Sequence, residues 1–464
     1  MRSTRGVSAL LGAGCALLAS GALSASRARY GGNLKVALAQ PHVEADPLLA
    51  DAPEQASISE LVNAPLCRVT AQGVVPVLAQ ELRWTSPTAL LVKLRPGLMT
   101  AAGTPLSARD VALALQRTAE SATRSVYRGL LLPLRGQGDA LTGAAVSADT
   151  LVLPLAYPFP EFLASLCHPA LAPTVSTRWE RSGVGPYRVT HNAGLYAPVS
   201  GFPEGRPFPE RLQLTASEAR AAERTYTLRQ AQLLLGGGGE VRPDAPALFA
   251  TYLVFRPEAV GPDFRTAVEA SIDRSQLVET FVPRPSVAMA ALLPPALGVF
   301  EAAARPSRIG TLQLRPFTLA YDASLEPARA VAERLQLKLH DRGYPVTLQA
   351  IPHADVHLRW ATRTYEALLT SVLLPPSPTA AFGVVLELAQ RPDIAARELP
   401  GLGGRPEALA ERLAALRSTL PLIPLYAQGA RVQADATVLG LGFDAQGLIR
   451  LDQLFLTPGP SPEN

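Results

Sequence analysis

Long runs of like charge are missing from this chain, and so are the short motifs that mark catalysis. Charged residues make up 18% of its 464 positions, and the net charge of +4 is spread along the whole length. Without a basic cluster there is nothing to neutralise a row of phosphates, so no nucleic-acid partner is expected. No C-x-x-C pair and no G-x-S-x-G elbow occur, which removes the simplest redox and hydrolase signatures. The six histidines include one suggestive pair. His353 and His357 would share a helix face where a metal could sit, but the zinc-protease form needs Glu after the first His and Ala354 stands there. The pair reads as ordinary solvated residues, so no metal and no cofactor are expected. His168 beside Cys167 is not a dyad, because sequence neighbours on a helix point in different directions. The glycine run at 236–239 lacks the Gly-Lys-Ser/Thr ending of a phosphate loop and reads as a solvated linker.

Beyond the N-terminus no apolar run is long enough to cross a bilayer; the compact stretch at 130–134 is far too short. The N-terminus differs. Arg2 and Arg5 precede an apolar segment at 7–23 and small residues at 24–26, the pattern of a signal peptide over 1–26. Of the three cysteines, Cys15 lies in this leader, and Gly12 stands where a lipid-anchor motif needs leucine, so a lipoprotein is not expected. Cys67 and Cys167 remain, in a chain bound for an oxidising compartment. Bonded, they close a loop of about 100 residues, nominally worth ~4.7 kcal/mol; unbonded, they are two buried thiols. Their spacing does not choose.

A hydrophobic content of 48% over 464 residues supports two or three domains rather than one. Strands are expected at 33–39, through 74–94, at 151–155, 187–190, 251–255 and 422–426, and helices at 57–66 and 161–167. Two helices carry start signals: Ser107 with Asp110, and Asp273 with Gln276. The strand at 317–321, amphipathic helix at 326–341, stop at Gly343 and strand at 346–351 read as a βαβ unit, hence parallel strands. A Pro-rich tail, 457–464, is expected to be disordered.

The order of these segments resembles the peptide-, nickel- and oligosaccharide-binding family of solute-binding proteins that serve ABC transporters (solute-binding protein family 5). Gly31-Gly32-Asn33-Leu34 resembles its opening strand, with Asp46-Pro47 in the first loop. Val75-Pro76-Val77-Leu78-Ala79-Gln80-Glu81 with Trp84 resembles a further stretch of it, and Leu94-Arg95-Pro96-Gly97 through Gly103-Thr104-Pro105-Leu106-Ser107-Ala108-Arg109-Asp110-Val111 resembles its most specific block. Gly183-Val184-Gly185-Pro186-Tyr187, Ile272-Asp273-Arg274 and Ile423-Pro424-Leu425-Tyr426 follow in family order. The resemblance implies an α/β, two-lobed periplasmic binding protein-like fold of class II type with an extra subdomain in the first lobe. The lobes would span 27–255 (subdomain about 67–174) and 256–424, with 425–456 returning to the first and the strands near 251 and 422 crossing between them.

It further implies a non-enzymatic, monomeric, periplasmic or secreted protein that captures a peptide or similar small solute and delivers it to an ABC transporter permease. The alternative is a degenerate binding-protein fold acting as an envelope sensor or scaffold without transport. A concave, mostly apolar pocket would draw on Gly183, Gly185 and Tyr187 from the first lobe, Tyr252 near the crossing, and Ser371 and Ser377 from the second; the two tyrosines could equally be core aromatics. Peptide-binding members carry an acidic residue in the loop corresponding to 371–378 (SVLLPPSP), which has none here. A buried ammonium without a carboxylate is costly, which counts against a free-amine peptide and leaves room for a neutral, apolar or blocked ligand. The stretch at 228–251 looks shortened relative to the family.

Overall fold

The computed structural model describes residues 28–457 apart from 45, 121, 122, 124, 136–146, 177–180, 191, 193, 239–244, 259, 260, 300–314 and 404. The expected leader, and all of the expected tail but Thr457, lie outside the described residues. Two six-stranded sheets organise an α/β molecule of two lobes. In the first sheet the order is Val432–Ala434, Leu233–Leu235, Asn33–Leu38, Arg211–Ala216, Leu195–Pro198, Tyr187–Val189. Asn33–Leu38 runs parallel to both neighbours, and its Leu34, Val36 and Leu38 are buried with Ile58 and Leu61. The helix below them, Pro53–Ser59, starts and stops earlier than the expected 57–66. Proline suits a first helical turn, where its missing N–H has no partner to lose.

The second sheet runs Ser286–Ala288, Leu422–Gln428, Phe249–Phe255, Ala367–Leu373, Phe317–Asp322, Val346–Ile351. The βαβ unit is present: Phe317–Asp322 and Val346–Ile351 are parallel, joined by the helix Glu326–His340, and Gly343 holds a φ of +85° after it. Phe249–Phe255 and Leu422–Gln428 are buried along their whole length, which is why their sequences read as continuous apolar runs instead of alternating ones. They pair antiparallel, with a shift in register between Thr251 and Tyr252 opposite Pro424. Proline cannot donate to the ladder, and an irregularity there absorbs the missing bond.

A smaller sheet, Ala79–Ser86, Ala89–Leu94 and Thr150–Pro154, packs against the helix Ala108–Ala119. That helix begins with the expected reciprocal cap: Ser107 accepts from the Asp110 N–H, and the Asp110 carboxylate accepts from the Ser107 N–H at 2.9 Å. Its buried face is Val111 and Leu115, whereas Leu113 points to solvent. Asp46, from the first loop, accepts from Arg117 of this helix at 3.1 Å and from Arg181 at 3.0 Å. Cys67 and Cys167 are bonded, with Cα atoms 4.6 Å apart, which resolves the alternative left by their spacing.

The largest core does not respect the lobes. It runs from Leu90 and Leu151 of the small sheet through Tyr127 and Leu130 to Phe382, Val384 and Leu386 of the second lobe, while the first sheet keeps a separate core. At this seam the turn Val126–Leu131 crosses the helix Pro378–Leu388 backbone to backbone: a Cβ on Gly129 would stand 2.5 Å from the Gly383 carbonyl oxygen, and one on Gly383 would stand 2.6 Å from that of Gly129. The glycine run behaves differently from a solvated linker over its described part. Gly236 and Gly237 are buried behind the strand Leu233–Leu235, where a Cβ on Gly237 would meet Leu234 at 2.6 Å.

His168 sits at the same seam, fully buried. Its Nδ1 accepts from the Ala170 N–H at 3.2 Å, so Nε2 carries the proton and donates to the Leu373 carbonyl at 3.1 Å; its ring lies 4.7 Å from that of Tyr127. Burial pushes the imidazole down to about 3, against roughly 6.5 in an unfolded chain. Below pH 6.5 the unfolded state therefore binds a proton that the folded state refuses, and stability falls with pH until about 3. The expected loss from this group is about 2 kcal/mol between pH 7.5 and pH 5, at about 1.4 kcal/mol per unit below 6.5. Urea unfolding at both pH values checks it: His168→Gln, which can keep both bonds but does not titrate, should lose that much less than the native chain.

Candidate functional site

Where the two lobes meet, a small cavity is walled by segments from both. The first sheet's side contributes Gln40, Pro53, Glu54 and Arg431; the second sheet contributes Phe249, Thr251, Leu369, Ser371, Tyr426 and Gln428; and the end of Phe317–Asp322 with the start of the next helix contributes Asp322, Leu325 and Ala328. Polar and apolar groups share this lining almost evenly, with the apolar share slightly the larger. Its volume is about 30 Å³, roughly one water molecule's share of the liquid and far below the roughly 300–1,000 Å³ of ordinary ligand sites. The register shift at Thr251 lies within this wall. The Thr251 hydroxyl is 2.8 Å from that of Ser371, Glu54 accepts from the Arg431 backbone N–H at 2.7 Å, and burial, countered by Thr251 and Arg431, pushes the Tyr426 phenol up to about 12. Two carboxylates, Glu54 and Asp322, thus face the cavity although 371–378 has none.

Of the residues expected to bind, Ser371 lines the cavity. Ser377 is buried, stands just before the helix Pro378–Leu388, and its hydroxyl has no hydrogen-bond partner. Tyr252 donates to the Leu292 carbonyl at 2.8 Å, and Tyr187 to that of Pro209 at 2.9 Å; both rings are in the core. Gly183 and Gly185 pass against residues 61–63, where a Cβ would come within 2.1 Å of Asn63 Oδ1 or 2.4 Å of the Leu61 carbonyl. A second cavity, about 260 Å³, opens across the seam between Glu120, Ser125 and Arg128 on one side and Trp360, Glu387 and Gln390 on the other; Arg128 and Glu387 pair at 3.6 Å.

Beside the first cavity, His353 and His357 of the helix His353–Thr362 reach the first lobe. They are not solvated: their side chains are 12% and 18% exposed. His353 Nδ1 donates to Asp322 at 2.6 Å, and its Nε2 lies 3.3 Å from the Leu49 carbonyl and 3.6 Å from Asp51. His357 Nε2 lies 3.4 Å from the other Asp51 oxygen. Burial alone would depress the His353 imidazole, but Asp51 and Asp322 outweigh it and hold it up at about 10. Asp51, His353 and His357 are the residues able to hold a metal ion among those described. Sequence reasoning missed their burial because the partner, Asp51, sits in the other lobe.

No family model matches the sequence, and no curated protein matches it. Solved structures do match its shape. The periplasmic binding protein DppA of Helicobacter pylori, solved with the peptide STSA, superposes with a TM-score of 0.76 at 15% identity over 92% of this chain and 98% of its own. The murein tripeptide binding protein MppA of Escherichia coli gives 0.76 at 16% identity over 92% and 99%, but 0.57 in its unliganded open form. NikA of Staphylococcus aureus, solved with Ni(L-His)2, gives 0.72 at 12% identity over 92% and 100%. This chain has the fold of the two-lobed periplasmic binding proteins, shared with proteins that bind peptides and a nickel complex.

Proposed function

We propose that this chain is an extracytoplasmic solute-binding protein that captures a small solute between its lobes and delivers it to an ABC transporter permease, with no catalytic step. The observation that carries the reading is the cavity at the lobe junction, where both lobes supply polar groups to one enclosed point. A ligand touching both walls favours the closed state over the open one, which is what a two-state carrier requires. The likeness in shape to the ABC transporter-associated binding protein DppA supports this, and the bonded Cys67–Cys167 pair suits an oxidising compartment. With about 30 Å³ at this point, the walls suit a small polar solute, or the lobes stand further apart around a larger one. Ser371, Thr251, Gln428 and Arg431 are its contacts.

Native mass spectrometry of the protein taken from its own cell envelope tests the reading: a retained small molecule is expected. That molecule, supplied at 100 times its Kd, should raise unfolding stability by about 2.7 kcal/mol, and Ser371→Phe, which fills the cavity, should abolish the gain. An empty protein that no solute stabilises would sink it. A second reading, a degenerate scaffold or sensor in the envelope, draws support from the small volume of the junction cavity, about 30 Å³; it predicts an empty protein that crosslinks to an envelope partner.

A further inference from the structure

We propose that Asp51, His353 and His357 bind a first-row divalent cation of the Zn²⁺ type that bridges the two lobes and holds them closed. The inference goes beyond the solute-binding reading and does not depend on it. Zinc takes nitrogen ligands at about 2.0–2.1 Å and carboxylate oxygens at about 2.0–2.2 Å in tetrahedral array, so its ligand atoms stand about 3.4 Å apart. The Asp51 oxygens lie 3.6 Å from His353 Nε2 and 3.4 Å from His357 Nε2, and the three ligand atoms fall within 4.8 Å of one another. The fourth position of a site with three protein ligands is filled by water in such centres.

Two independent observations point the same way. His357 Nε2 is buried and, 3.4 Å from an Asp51 oxygen, makes no hydrogen bond of proper geometry among the described residues, a ligand atom facing the cluster with its bonding capacity unused. His353 is oriented from behind: its Nδ1 is bound to Asp322 at 2.6 Å, the carboxylate–histidine arrangement that fixes the ring and raises the basicity of the opposite nitrogen in metal centres. Nε2 would release its proton to solvent and exchange its present neighbour, the Leu49 carbonyl at 3.3 Å, for the cation. Helical spacing explains the pairing of the two imidazoles, since i and i+4 share a face. The third ligand comes from the loop just before Pro53–Ser59, in the other lobe. Closure therefore assembles the site, and by linkage the cation stabilises closure.

The test uses the full, untagged chain after dialysis against chelator. Isothermal titration with Zn²⁺ should give one site of micromolar or tighter affinity, and Co²⁺ should give the visible absorption of a tetrahedral nitrogen–oxygen centre. Asp51→Asn and His357→Ala should each weaken binding by roughly 100-fold, and Asp322→Asn, one step behind the ligands, by about 10–100-fold. His340→Ala, an exposed histidine elsewhere, should change nothing. Metal-free urea unfolding of His357→Ala should stay cooperative, with only the small loss of its ring contact to His353 and its approach to Asp51, which separates a lost ligand from a lost fold. Zn²⁺ should also slow amide exchange in His353–Thr362. No stoichiometric binding, or binding unaltered by Asp51→Asn and His357→Ala, would overturn the proposal and leave the cluster an ion pair alone.

Discussion

Replacing Cys67 and Cys167 together by alanine should lower the free energy of unfolding by about 4–5 kcal/mol. The bond joins residues 100 apart, and in the chain-entropy account a loop of that size is worth about 4.7 kcal/mol, because the linked unfolded chain has fewer conformations to regain. Cys67 opens the hairpin Cys67–Thr70 and Gly73–Pro76, and Cys167 closes the short helix Phe162–Leu166, so the bond clamps both ends of the small-sheet unit. Both sulfur-bearing residues are buried, at 0% and 2% exposure, so reductant should act slowly on the folded protein and fast on the unfolded one. Urea unfolding of the double variant beside the native chain measures the loss; a change below about 1 kcal/mol would mean the bond constrains nothing that packing does not already hold.

Arg68→Met should cost a comparable amount, about 3–5 kcal/mol, for a different reason. Arg68 is buried with Glu60, to which it is hydrogen-bonded, and its guanidinium lies 3.5 Å from Glu204 and 3.9 Å from Asp444. Arg450 shares Glu204 at 3.1 Å and holds Asp452 at 2.8 Å. Burial already pushes the Glu60 and Asp444 carboxyls up in spite of these cations. Removing one cation leaves carboxylates that must stay charged in a dry site or take up a proton. With the folded carboxyl pKa raised above its unfolded value, the penalty is largest at high pH and shrinks as pH falls through that raised value. The signature is therefore a deficit against the native chain that narrows on acidification; a deficit that stays constant with pH would point to lost packing instead.

Much of the scaffold was legible because it is written locally. Ser107 with Asp110, Asp273 with Gln276, and the 317–351 βαβ unit each carry their signal within a few residues, and the buried central strands announce themselves as unbroken apolar runs. What stayed hidden is set by distance in the fold. Nothing near Cys67 says that Cys167 lies 4.6 Å away. The cavity collects Gln40, Glu54, Asp322 and Arg431 from separate segments, so the absence of an acid from 371–378 said little about the acids present. Tyr187 and Tyr252 illustrate the remaining ambiguity: an aromatic in a family motif can be a ligand or a core residue, and here both hydroxyls go to backbone carbonyls.

The crossing of Gly129 over Gly383 also has an evolutionary meaning. Each position admits a hydrogen atom and nothing larger without displacing the opposite carbonyl, so the seam between the small sheet and the second lobe depends on both remaining glycine. Drift at either one is a wedge: a single methyl group would push the two backbones apart at their point of contact. A lineage of this fold could change the spacing of this seam by that one step, without altering any residue that lines the cavity between the two large sheets.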